Sequence, residues 1–162
     1  MPVPALFKAL QASPLGQTIS QSTWMFPTIE TVHVVAVAAV IGTIAVVDLR
    51  LLGVASKQRP ASRLIHEFLP WTWGAFGLAL VSGGLLFTSR AADYLAIPPF
   101  LAKFAIMALA AANMAVFHLT AERRIASWDL GRPALGARIA GGLSLLLWAA
   151  IVVCGRQVGF SL

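Results

Sequence analysis

The sequence predicts an all-α integral membrane protein, a four-helix bundle with both termini on the outer side of the membrane and a short N-terminal amphipathic helix at the membrane surface. Of its 162 residues, 59% are hydrophobic and 11% are charged, whereas soluble domains are about 45–50% apolar and about 25% charged. The apolar residues form four runs, each near the length of about 20 residues that a helix needs to cross the hydrocarbon core. The basic residues concentrate in two of the segments between those runs.

The four apolar runs define the predicted elements, which together form one transmembrane domain over residues 1–162. Ser62 is the predicted N-cap from which the second helix starts within the preceding loop. Pro70 marks a kink or the membrane boundary of the second span, and Pro99 lies in the first turn of the third, where its missing N–H costs little. Residues 5–20 are predicted to lie at the membrane surface. The predicted spans cover residues 28–52, 70–88, 99–119 and 134–153.

The distribution of basic residues predicts the orientation of the bundle, because positively charged loops remain on the cytoplasmic side. The opposite side holds Lys8, Arg90 and Arg156, with Lys103 just inside the third span. We therefore expect both termini outside, as in a multi-pass protein of the bacterial inner membrane. The two basic segments, which follow the first and third spans, hold Arg50, Lys57, Arg59, Arg63, Arg123, Arg124, Arg132 and Arg138.

The expected partner of the chain is the lipid bilayer. The net charge of +6 does not indicate a nucleic-acid partner, because the basic residues follow the topology of the loops. Association into a homo-oligomer or a larger membrane complex stays open. Small residues four apart, including Ala79 with Gly83 and Ala137 with Gly141, favour close approach of helix backbones.

Ionisable side chains within the spans are the main indication of function, since each costs about 2.5–3.5 kcal/mol at the centre of a membrane helix. Toward the outer boundary, Glu30 and His33 share one helix face, and Lys103 enters the third span at a similar depth. Two interpretations stay open. Glu30 and Lys103 form an interhelical ion pair beside His33, or the three residues bind a small solute, a proton or a metal ion from the outer face.

Toward the cytoplasmic boundary, His66 and His118 are predicted axial ligands of haem b, because two histidines of facing helices can hold haem in a helical bundle. Their depths differ by about 7–9 Å along the membrane normal. His33 lies about 22 Å from this layer, so it is a haem ligand only with some other partner. Asn113, a single amide in the third span, is expected to form an interhelical hydrogen bond or to contact a ligand.

The other charged residues near the cytoplasmic boundary have structural interpretations. Asp48 is expected to pair with a basic residue of either loop. Arg50, Arg123 and Arg124 are expected to extend to lipid headgroups. The sequence contains no phosphate-binding loop, dinucleotide fingerprint or nucleophile elbow. We therefore assign no catalytic residue and leave enzymatic activity undecided.

Three functions are compatible with these residues. The first, and the most specific, is a redox subunit that binds haem b and transfers electrons. The second is a binding or transport component that uses an outward-facing site of Glu30, His33 and Lys103. The third is a non-catalytic accessory subunit of a larger membrane complex.

Three stretches of the chain resemble a family of small four-span bacterial inner-membrane proteins described only as a domain of unknown function. They read ETVHVVAVAAVIGTIAVVDLRLLG from residue 30, LPWTWGAFGLALVSGGLLF from residue 69 and PFLAKFAIMALAAANMAVFH from residue 99. The resemblance covers about Leu10 to Val153. It implies the four-span fold and the importance of certain residues, and it implies no reaction. Those residues are Glu30, His33, Asp48, Arg50, Lys103, Asn113 and His118.

Overall fold

The structure, a computed structural model, describes residues 5–161, and within this range every regular element is a helix. Four of the helices have the length and hydropathy needed to cross a membrane. This confirms the predicted all-α fold with four membrane spans. The elements are α1 (Ala5–Gln11), α2 (Pro14–Gln21), α3 (Met25–Leu51), α4 (Ala61–Ser89), α5 (Ala91–Leu95), α6 (Pro98–Leu119), a 3₁₀ helix (Glu122–Ser127) and α7 (Leu135–Ser161).

Two of the spanning helices extend beyond the apolar runs that predicted them. Helix α4 begins at Ala61 rather than near residue 70, and α7 continues to Ser161 rather than ending near residue 153. Pro70 lies inside α4 and does not end it. An apolar run sets only the length of helix within lipid, and polar turns can continue the same helix into water with their backbone hydrogen bonds intact.

The N-terminal segment forms two short helices that dock on the junction of α4 and α5. The Ser13 hydroxyl accepts a hydrogen bond from the Gly16 N–H at 3.2 Å and caps α2. A Cβ atom at Gly16 would lie 2.7 Å from the Thr88 carbonyl oxygen, so only glycine permits this close approach to α4. Gln11 accepts a hydrogen bond from the Ala92 N–H at 2.8 Å, which joins α1 to α5.

The spanning helices pack in the order α4, α3, α7 and α6, while α4 and α6 have at most marginal backbone contact. Glycines explain two of the close contacts. A Cβ atom at Gly141 would lie 2.9 Å from the Asp48 carbonyl oxygen, which brings α7 against α3. The imidazole of His33 lies over Gly83 on α4, 2.9 Å from the position of a Cβ atom. The bundle is therefore close-packed except between α4 and α6.

The two ends of the bundle have separate apolar clusters. The terminal end holds α1, α2 and α5, and there the Phe100 ring stacks 5.7 Å from Phe87 and 5.1 Å from Tyr94. Burial raises the pKa of the Tyr94 phenol, and the positive charge of Arg90 opposes part of this rise. The loop end holds residues 52–60 and 120–134. Its apolar cluster contains the buried residues Leu51, Ala61, Ile65, Phe117, Trp128, Ala137 and Ala140.

Arg50 is buried at the loop end, with 1% of its surface exposed. Its Nε donates a hydrogen bond to the Arg59 carbonyl at 2.9 Å, and its Nη2 donates to the Asp129 carbonyl at 2.7 Å. The prediction that Arg50 extends to lipid headgroups is therefore wrong, because carbonyl groups of both loops satisfy its guanidinium inside the protein. Arg123 and Arg124 are exposed.

Asp129 caps α4 from the opposite loop. The Ser62 N–H and hydroxyl donate to the two oxygens of its carboxylate at 2.8 and 2.7 Å. The prediction that Ser62 is itself the N-cap is wrong, since the helix begins at Ala61 and Ser62 donates to the capping group. Burial acts against ionisation of Asp129, but the hydrogen bonds from Ser62 and the charge of Arg50 prevail and lower the pKa of its carboxyl.

Candidate functional site

A cavity of about 290 Å³ lies within the bundle. Every spanning helix lines it: α3 contributes Asp48, α4 contributes Trp73, α6 contributes Asn113 and α7 contributes Ser144. Most of the lining side chains are apolar. Pockets for small molecules are typically about 300–1,000 Å³ and mainly apolar, with a few polar groups that orient the ligand. The cavity therefore has the character of a site for a small molecule.

The open side of the cavity faces the region where α4 and α6 separate. Trp73 of α4 and Met114 of α6 line the cavity, and they are also 53% and 38% exposed. Both residues belong to the helices that are long and apolar enough to cross a membrane.

Asp48 brings to the cavity a buried carboxyl oxygen that has no hydrogen-bond partner. Its side chain lines the cavity, the residue is 5% exposed, and Oδ2 is buried without a hydrogen bond. Ser144 of α7 is the polar side chain beside the carboxyl group. The prediction that Asp48 pairs with a basic residue is wrong. Arg50 lies two positions along α3, and residues at this spacing do not share a helix face.

Two other polar groups of the lining, those of Thr72 and Asn113, have partners within the protein. The Thr72 hydroxyl lies 2.8 Å from the Thr43 hydroxyl and 2.9 Å from the Phe68 carbonyl oxygen. Asn113 Nδ2 donates to the Ala140 carbonyl at 2.9 Å. This bond joins α6 to α7 and confirms the predicted interhelical hydrogen bond of Asn113. Contact of Asn113 with a ligand stays a prediction.

The structure brings one of the two predicted haem ligands to the cavity. His118 of α6 lines it, and its Nδ1 is hydrogen-bonded to the Glu122 carboxylate. His66 of α4 is exposed and lies outside the lining. Haem b held by both histidines therefore stays a prediction, as does a haem that uses His33.

His33 is half-buried between α3 and α4 and lies outside the lining of the cavity. Its Nδ1 lies 3.0 Å from the Ala79 carbonyl oxygen and 3.1 Å from the Ser82 hydroxyl oxygen. Because a carbonyl oxygen only accepts hydrogen bonds, Nδ1 carries the proton in the neutral ring, and Nε2 is the basic nitrogen. His33 thus joins the two helices through its donor nitrogen.

Glu30 and Lys103 are close enough to His33 for their charges to act on its imidazole. The sequence predicted that these three residues lie at one depth. Glu30 is exposed, while Lys103 is half-buried. Within residues 5–161 the salt bridges are Arg59 with Glu67 and His118 with Glu122, so the predicted Glu30–Lys103 ion pair is not formed. The three residues share a region of the molecule, and binding of a solute, proton or metal ion there stays a prediction.

The part of the chain that the structure describes contains no group of three or more His, Cys, Asp or Glu side chains with metal-binding geometry. No protein-family model, curated protein or solved structure matches the chain. The function is therefore argued from the cavity and its lining residues.

Proposed function

We propose that this integral membrane protein binds a small lipophilic molecule, which enters the cavity from the bilayer between α4 and α6. The supporting observation is a cavity lined by all four spanning helices, with exposed lining residues only where α4 and α6 separate. A molecule dissolved in lipid reaches such an opening by lateral diffusion. The proposal belongs to the binding and transport class. We also propose that the arginine-rich loop end lies in the cytoplasm of a bacterial cell, because positively charged loops remain on the cytoplasmic side.

The chemistry of the lining supports a mainly apolar ligand with one polar group. Apolar side chains of all four spanning helices line the cavity and would surround the apolar part of such a molecule. Asp48 and Ser144 supply a polar end on the α3–α7 side, opposite the opening. This combination of an apolar enclosure and few polar groups is typical of small-molecule sites.

The test is binding of a solvatochromic lipophilic fluorophore to the purified protein in detergent. Ala110 lines the cavity, whereas its near neighbour Ala112 is exposed and lies outside the lining. Ala110→Phe places a ring in the cavity, and we expect the fluorophore to bind about tenfold more weakly or worse, a loss of about 1.4 kcal/mol or more. Ala112→Phe is the matched control and should bind as the wild type does. Equal binding by both variants would contradict the proposal.

Haem b is the second candidate ligand, because His118 lines the same cavity. Haem supplies electron transfer when bound, and His118 is the residue that would hold its iron. The test is the visible absorption spectrum of protein purified from haem-replete cells. A Soret band that His118→Ala abolishes supports this candidate. A colourless preparation rules it out and leaves the lipophile.

A further inference from the structure

We infer that the cavity selects lipophilic organic cations, either protonated amines or quaternary ammonium compounds, and binds the positive group beside Asp48. This inference rests on the proposed function, since it names the class of the lipophilic ligand. It follows from the buried Asp48 oxygen that has no hydrogen-bond partner, from the aromatic lining and from the absence of lysine and arginine among the lining residues.

The charges that face the cavity favour a cation. Asp48 of α3 is 5% exposed and has an oxygen without a partner, and the lining contains no lysine or arginine. The other ionisable group of the lining is His118 of α6, which is bonded to Glu122. Helices α4 and α7 contribute no ionisable side chain to the lining. Arg50 of α3 donates to the loop carbonyls instead. A bound cation therefore meets the Asp48 carboxyl group and no lysine or arginine side chain.

Aromatic side chains supply the remainder of a cation site. Trp73 and Phe76 on α4, Phe117 on α6 and Trp148 on α7 line the cavity. An aromatic face attracts a cation through its quadrupole, by about 0.5–2 kcal/mol, and the attraction is strongest where water is excluded. Three helices thus present aromatic rings around a space that the Asp48 carboxyl also faces.

The buried oxygen of Asp48 argues against a ligand whose head only accepts hydrogen bonds. A ketone or ester head cannot donate to this oxygen and would leave it unpaired. An unpaired buried polar group costs about 1–3 kcal/mol. An ammonium group removes this cost by donating to Asp48 or by placing its charge there.

The experiment compares three probes of the same two-ring shape and different charge. They are N-methyl-4-phenylpyridinium, the neutral 4-methylbiphenyl and the anionic biphenyl-4-carboxylate, each used to displace the fluorophore from the purified protein. We expect the cation to displace it at a concentration about tenfold lower than the neutral probe or less, and the anion to be the weakest. Asp48→Asn should remove this advantage of the cation, whereas Ala112→Phe, at an exposed position outside the lining, should retain it. Asp48→Glu should retain part of it.

The outcomes separate this inference from the proposed function. If the fluorophore binds and the three probes compete equally, the cation selectivity is overturned and lipophile binding stands. If the fluorophore does not bind the wild type, both fail. If Asp48→Asn does not fold, the ranking of the three probes on the wild type decides. Retention of cation selectivity by a folded Asp48→Asn variant also overturns the inference.

Discussion

Asp129→Ala should destabilise the protein more than Asp93→Ala, because Asp129 caps α4. The change removes a carboxylate that accepts hydrogen bonds from the Ser62 N–H at 2.8 Å and from the Ser62 hydroxyl at 2.7 Å. Loss of an N-cap costs about 0.5–2 kcal/mol, and a hydrogen bond to a charged group contributes about 1.5–3 kcal/mol. Because the two bonds share one carboxylate at a partly exposed position, we expect a loss of about 1–3 kcal/mol in the free energy of unfolding.

The assay is thermal unfolding in detergent, followed by circular dichroism. For a chain of this size, each kcal/mol lowers the midpoint by about 2–4 °C. Asp93→Ala is the matched control, since Asp93 is an exposed aspartate whose side chain accepts one hydrogen bond, from Gln11 at 3.3 Å. The control should change the free energy of unfolding by no more than about 0.5 kcal/mol. Equal midpoints for the two variants would refute the capping role of Asp129.

The stabilisation by Asp129 should also depend on pH, with a sign set by its lowered pKa. Its ordinary value is 3.8, and the folded protein holds it lower. The stabilisation is therefore present in full above the ordinary value and is lost as the pH falls through the folded-state pKa. The difference in unfolding midpoint between wild type and Asp129→Ala should be constant near neutral pH and should shrink in acid. A difference that grows in acid would contradict this sign.

Two further substitutions test the packing of the bundle. Gly141→Ala places a Cβ atom 2.9 Å from the Asp48 carbonyl oxygen and 3.0 Å from Leu51 Cβ, so we expect overpacking to cost about 1–3 kcal/mol in thermal unfolding. Gly142→Ala, whose Cβ atom meets its nearest neighbour at 3.5 Å, should be nearly neutral, and similar losses for both would contradict the account. Arg50→Met removes the donor to the Arg59 carbonyl and one of the two donors to the Asp129 carbonyl, which also accepts from the Ala61 N–H. It should cost about 2–4 kcal/mol. The exposed Arg124→Met should cost almost nothing, and a tolerated Arg50→Met would show that the buried guanidinium is dispensable.

The four spans could be predicted from the sequence because hydrocarbon solvation acts on each helix separately. Any helix that crosses the membrane needs about 20 apolar residues in a row, whatever its neighbours are. The ends of the helices were less predictable. The start of α4 at Ala61 depends on Asp129, which lies in a loop far along the chain. Because the capping carboxylate is distant in the sequence, the residues at the start of α4 carry no pattern that predicts it.

The cavity was not predictable, because it depends on which helices touch. Nothing in the apolar runs indicates that α4 and α6 remain apart while α3 contacts both α4 and α7. The sequence identifies Asp48 and His118 as ionisable groups near one boundary, but it does not predict the unpaired oxygen of Asp48 or the bond of His118 to Glu122. The sequence did contain one usable signal for Asp48. Its nearest base, Arg50, stands two positions away and therefore on another helix face.

Photolabelling with a neutral lipophilic diazirine, followed by mass spectrometry, tests the lipid-facing cavity most directly. The account predicts adducts on lining residues of α4 and α6, such as Trp73, Phe76 and Met114, which Ala110→Phe suppresses. Adducts confined to outward-facing side chains such as Leu146, which is 71% exposed and lies outside the lining, would show that the probe contacts only the outer surface of the bundle. That result would contradict the proposed binding site.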